Sequence, residues 1–253
     1  VKMWGLFTID RHLFGLDVPH EEQGVFLMGA DVYGRDLFSR VAYGARLSLS
    51  IGIVCVVLSL ALGIILGGLS GYYGGLLDSI VQRSIEFIRT LPTLPLWMAL
   101  SAALPPDLPM IQRYFGITLI LSLISWTGMA RVVRGRFLAL REEDFVMAAR
   151  LSGANEWRII LVHMVPSFLS HIIASLTLRI PQMILGETSL SFLGLGLMPP
   201  AVSWGVLLRA AQNLNAVALQ PWKLIPAGFI VVTVLCFNFL GDGLRDAADP
   251  YAR

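Results

Sequence analysis

From Leu47 to Leu69 the chain carries no charged side chain, and this stretch limits what the molecule can be. A bilayer core about 30 Å thick is crossed by ~20 consecutive apolar residues in a helix. Inside lipid every backbone N–H and C=O needs an internal partner, so such a run folds as a helix. The rest of the composition agrees. With 56% apolar and only 14% charged residues and a mean hydropathy of +0.72, the chain does not read as a soluble globular domain. Gly63, Gly67, Gly71 and Gly75 recur every four residues along the end of the run. That spacing predicts a ridge of small residues for close helix–helix packing.

Four further stretches read as spans. Leu76 to Leu104 starts amphipathic, with Asp78, Arg83, Glu86 and Arg89, and turns apolar near Leu91. Pro92 and Pro95 predict a kink or break there. Phe115 to Val133 is the third span and Trp222 to Leu240 the last, with Trp222 and Lys223 as interfacial anchors. Pro166 to Gly186 is the poorest, because it holds His171, Arg179 and Pro181. An ionisable group within a span faces a protein interior or a water-filled path, so Arg179 is a candidate pathway residue or one close to the outer headgroups. Residues 1–46 contain no spanning run, and their Asp31/Arg35 and Asp36/Arg40 pairs suit a short surface helix or merely a solvated face.

Several chemistries find no support. No Gly-x-x-x-x-Gly-Lys-Ser/Thr loop for phosphates occurs, and no nucleophile elbow. His, Cys and carboxylates do not fall at metal-ligand spacing, and Cys55 and Cys236 sit in apolar runs as small hydrophobes. The net charge of +2 gives no basic patch for nucleic acid. No catalysis, metal or cofactor is expected of this chain.

Between the third and fourth spans lies Glu142 to Ser167, EEDFVMAARLSGANEWRIILVHMVPS. Two short helical patterns flank Ser152-Gly153-Ala154. Phe145, Ala148 and Ala149 fall at helical spacing in the first, behind the acidic Glu142 to Asp144. Trp157, Ile160 and Leu161 do so in the second, which Pro166 closes. The small residues at Ala148, Ala149 and Gly153 would let a partner approach, but a solvated connecting loop fits the spacing equally well.

Ala148-Ala149, Gly153 and Pro166 resemble the Glu-Ala-Ala loop of ABC-importer membrane subunits, in which paired coupling helices sit in a cleft of the ATPase. Met147 stands where the family's first Glu would be, and His163 and Val165 replace its usual Ile and Leu. The His163-x-x-Pro166 variant is similar to the dipeptide, oligopeptide, opine and nickel branch. Three further stretches resemble that branch. The first is Gly29-Ala30-Asp31-x-x-Gly34-Arg35-Asp36-x-x-Ser39-Arg40 with Gly44-Ala45-Arg46-x-Ser48. The second is Glu187-x-x-Leu190-Ser191-Phe192-Leu193-Gly194-Leu195-Gly196 with Pro199-Pro200 and Ser203-Trp204-Gly205. The third is Phe237-Asn238-x-Leu240-Gly241-Asp242-x-Leu244-Arg245-Asp246 with Asp249-Pro250.

The resemblance implies an all-α membrane protein with five core transmembrane helices of the ABC-importer permease (MetI-like) type and a cytoplasmic coupling-helix loop. It implies an inner-membrane subunit forming a path for peptides or related solutes, with ATP hydrolysed by partners. Those partners would be a second homologous permease, two ATP-binding subunits and an extracytoplasmic solute-binding protein, within the membrane lipid. The expected coupling residues are Met147, Ala148, Ala149, Gly153, Ala154, Trp157 and Pro166. Arg179 and Glu187 would line or support the path, with the segment from Glu187 to Ala218 outside. Gly63, Gly67 and Gly71 would pack helices. Six arginines from Arg131 to Arg158 favour the inside for the loop. That leaves residues 1–46 as an extracytoplasmic segment, 47–241 as the permease core and 242–253 as a cytoplasmic tail. Family members carry one more helix ahead of this segment, so an N-terminal span is expected to be missing here. A self-contained secondary transporter or channel is the alternative, and would need intramembrane charge pairs and inverted repeats.

Overall fold

The computed structural model describes residues 2–3, 7–8, 26, 28–31 and 33–248. Apart from an antiparallel pair of two-residue strands, β1 (Lys2–Met3) and β2 (Phe7–Thr8), every described element is helical. Helix α1 (Leu37–Tyr73) holds the long apolar run and starts ten residues ahead of it. Asp36 caps it, accepting from the N–H groups of Phe38 and Ser39 at 3.3 and 2.9 Å. The described residues around Asp31 form a turn and not a helix. Asp31 folds back to accept from the backbone of Tyr33 at 2.8 Å and Arg35 at 3.0 Å, a local bond that competes with a helix. Its carboxylate also pairs with Arg35 and Arg40, so Arg40 meets Asp31 rather than Asp36. This turn is pinned by the Trp222 indole, which donates to the Ala30 carbonyl at 3.0 Å. Trp222 is thus a partner of the turn as well as a neighbour of the last helix.

The second expected span is two helices, α2 (Gly75–Thr90) and α3 (Thr93–Ala102), parted at Leu91–Pro92 where the prolines predict a break. Helix α4 (Met110–Leu140) is the central column, its most apolar 18-residue stretch 56% buried against 33% for α1. Beyond it, α5 (Asp144–Leu151) and α6 (Glu156–Arg158) flank Gly153. A wide turn, Ile159–Met164, then leads into α7 (Val165–Ser167). Pro166 does not end this helix. The wide turn makes a five-residue bond, Val165 N–H to the Ile160 carbonyl. Proline has no N–H and crowds the carbonyl four residues back, and a widened turn removes both conflicts.

The fourth expected span is likewise split, into α8 (Leu169–Thr177) and α9 (Ile180–Phe192). Helix α9 runs past Gly186 and carries Glu187 inside it, so that acid does not begin an outer loop. Short helices α10 (Trp204–Arg209) and α11 (Leu214–Leu219) follow, and α12 (Ile225–Ala248) ends the described chain. By length and composition three helical stretches can cross a membrane: Leu37–Tyr73, Met110–Leu140 and Pro221–Ala247. The other two spans of the five are the broken pairs. Such breaks are tolerated at membrane depth where they are buried in protein or line a cavity.

Candidate functional site

Glycines set the spacing of α1 on α4. A Cβ on Gly67 would overlap the Ala130 carbonyl oxygen, and one on Gly63 would lie 2.6 Å from Met129 Cγ. One on Gly71 would lie 2.7 Å from Phe137 Cβ. Gly75, in the same sequence register, is not part of this ridge: it opens α2 at φ +57° with open space around it. The ridge ends because α1 turns at Gly74.

An ion pair then locks the lower ends of three helices. Arg134 of α4 donates from Nε to Asp78 Oδ1 at 2.6 Å and from Nη2 to Oδ2 at 2.5 Å. Ser70 of α1 donates to the same carboxylate at 2.5 Å, and Gln82 donates to Ser70.

The loop after α4 sits on this base. Val146, Ile159, Ile160 and Met164 are buried in one cluster with Tyr72, Phe137 and Phe168. Arg150 stacks over the Tyr72 ring at 4.9 Å, and the Tyr73 hydroxyl donates to Glu156. Each set of residues at helical spacing is divided between the two sides of the loop. In α5 Val146 faces in with Ala149 partly buried, whereas Phe145 and Ala148 are exposed; after α6 Ile160 faces in while Trp157 and Leu161 do not. Periodicity finds an apolar stripe but not which of two stripes the tertiary fold uses. The outer face is therefore apolar as well: Met147, Leu151 and Trp157 are exposed, Leu151 at 88%. Gly153 joins the helices at φ +76°, a conformation few side chains adopt, with open space beside it. Ala154 is half-buried against the cluster, donating its N–H to the Ala149 carbonyl at 3.1 Å. Pro166 stands apart from the tip, at the start of α7.

The chain matches one family model, binding-protein-dependent transport system inner membrane component, over residues 59–253. The chain belongs to this family. The permease is 39% identical over 243 residues to the oligopeptide transport system permease protein OppC of Bacillus subtilis, covering 96% of this chain and 76% of that one. It is 40% identical to the dipeptide transport system permease protein DppC of the same species, over 89% of this chain and 68% of that one. In fold it is similar to the inward-facing MetNI methionine ABC transporter, with a TM-score of 0.63 at 17% identity over 84% of this chain and 98% of that one. An amino acid ABC transporter solved with histidines gives a TM-score of 0.59 at 17% identity, over 81% and 92%. The permease is thus a membrane-spanning component of an importer whose family works with ATPase and solute-binding partners.

Glu187 is fully buried among hydroxyls. Ser191 and Ser203 donate to its Oε1 at 2.7 and 2.9 Å, and Ser48 to its Oε2 at 3.2 Å. Those serines are themselves acceptors, Ser48 for the Trp204 N–H, Ser191 for the Leu197 N–H and Ser203 for the Val206 N–H. The acid is a hub that joins α1, α9 and the start of α10. Ser48, Ser191 and Ser203 all stand in the family-like stretches, but nothing in their spacing predicts that they meet on one carboxylate.

Arg179 caps α9 at the break after α8, and its guanidinium lies against Gly128, a little past the midpoint of α4. A Cβ on Gly128 would come within 3.0 Å of Arg179 Nη1. Arg179 and Arg89 share a recess of about 280 Å³ between α2, α3, α4 and α9, and Arg89 was not singled out by spacing.

Proposed function

We propose that this permease pairs with a second, related permease to form the path by which peptides or related small solutes cross the membrane. The names of its relatives support peptides; opines and nickel are the other solutes its sequence motifs suggest. The observation that carries the coupling half of the reading is the two-sided loop at 142–166. Its inner side is buried on the ends of α1 and α4, and its outer side leaves Met147, Leu151 and Trp157 exposed. An apolar face on a polar-rimmed knob fits a protein partner. The ATPase subunit docks there, around Met147, Ala148, Ala149, Gly153 and Trp157, on the cytoplasmic side. Closure of the ATPases moves the loop as a unit, since Val146, Ile159 and Ile160 tie it to α4 and α1. The helices on either side then swing together between two states.

Detergent pull-down of the tagged chain from its native membrane tests the reading, with mass spectrometry of what accompanies it. A second permease and an ATPase should be recovered, and Gly153→Trp should lose the ATPase and transport while membrane insertion stays normal. Normal uptake by that variant would remove the docking role. A Cβ at that site would meet nothing within 4 Å apart from its chain neighbours, but the positive φ strains any side chain there, so the melting temperature of the variant is measured beside its insertion.

A further inference from the structure

The recess between α2, α3, α4 and α9 is lined by two basic side chains. Arg89, from the last turn of α2, and Arg179, from the head of α9, both line it and are close enough to repel one another. Among the described residues no carboxylate lines the recess or pairs with either arginine. Thr93 and Gln182 add exposed polar groups to the wall. Trp97, buried to 8% exposure, lines the same recess, and its indole N–H has no acceptor among the described residues. Two like charges sharing one recess between membrane helices are costly unless something anionic meets them. Gly128 is the position that makes room, because any side chain there would crowd the guanidinium.

We propose that this recess is a carboxylate subsite on the transport path, in which Arg179, with Arg89 beside it, holds the free carboxylate end of a solute in transit. This rests on the import reading above and names the substrate chemistry it serves. Size decides how much of the solute enters. A volume of about 280 Å³ lies at the lower limit of small-molecule sites, ~300–1,000 Å³, so the recess takes a terminus and its adjoining residue rather than a whole oligopeptide. Guanidinium matches a carboxylate with two parallel hydrogen bonds, and the match strengthens where water is scarce. The same pair of charges repels a bare metal cation. Among the solutes considered, the recess therefore favours peptides and opines, which carry carboxylates, over nickel.

The test uses the complete purified transporter and two probes, trialanine and trialanine amide, which differ only in the terminal carboxylate. Isothermal titration should show the wild type binding the acid at least about tenfold more tightly than the amide. Arg179→Gln should bring the two to equality, Arg179→Lys should retain part of the preference, and Arg89→Gln should reduce it about threefold or more. Arg89 is exposed, so its variant keeps the test open should Arg179→Gln fail to assemble. Equal binding of acid and amide by the wild type, or binding of neither, overturns the subsite. So does a loss of the partner permease with the acid preference intact, which would make the recess a subunit contact. Uptake separates the two readings. ATP-driven peptide uptake that is the same in wild type and Arg179→Gln sinks the subsite and leaves import standing. Acid-selective binding without uptake of any peptide sinks peptide import and leaves the subsite standing.

Discussion

Arg134 grips Asp78 with two nitrogens, at 2.6 and 2.5 Å, across the gap between α4 and α2. The pair is partly shielded, with 31% of the arginine side chain and 18% of the aspartate exposed. It stands where α1, α2 and α4 meet beneath the loop of the proposed ATPase contact. Removing the acid leaves a partly buried cation with no second carboxylate paired to it among the described residues. Asp78→Asn should cost roughly 1.5–3 kcal/mol of stability, the range for a hydrogen bond to a charged group, and lower the melting temperature of the detergent-solubilised chain.

The contact of α1 on α4 leaves no space for a side chain at Gly67, where a Cβ would overlap the Ala130 carbonyl. Gly67→Leu should destabilise the chain by about 1–3 kcal/mol or more, because two backbones must separate. Gly228→Leu, in α12 with nothing within 4 Å, should leave the melting temperature nearly unchanged. Comparable losses at both sites would rule out the contact at Ala130 as the cause, since leucine is by itself the better helix former at either position.

The Glu187 hub predicts graded damage. Glu187→Ala removes the acceptor of three buried hydroxyls and should cost at least about 2 kcal/mol, read as loss of folded protein after mild heating. Trp204→Phe loses one bond, indole N–H to the Val41 carbonyl at 2.9 Å, and should cost only about 1 kcal/mol. An alanine variant as stable as wild type would show that the hydroxyls find other partners.

The outer face of the loop should separate docking from folding. Leu151 and Trp157 are exposed, so Leu151→Ala and Trp157→Ala should change stability by no more than about 0.5 kcal/mol. Both should weaken recovery of the ATPase in the pull-down. Val146→Ala, at a buried position of the same loop, should do the reverse and lower stability first. If the exposed variants recover the ATPase as well as wild type does, the partner binds elsewhere.

Much of this was legible in the chain itself. The uncharged run of α1, the break at Pro92 and the two helices around Gly153 follow from local chemistry: hydropathy, proline geometry and a glycine at positive φ. These depend on neighbours a few residues apart. What only the tertiary structure decided involves residues far apart in sequence. Asp31 could serve a helix or a turn, and it took the turn because Trp222 holds the segment down. Glu187 reads as the end of a span by hydropathy, yet lies within α9 because Ser48 and Ser203 reach its carboxylate from elsewhere. Arg179 reads as an isolated charge until Arg89 and Gly128 stand beside it. Hydropathy counts each side chain against lipid or water, whereas the cost of burying a charge is set by the partners that the fold brings to it.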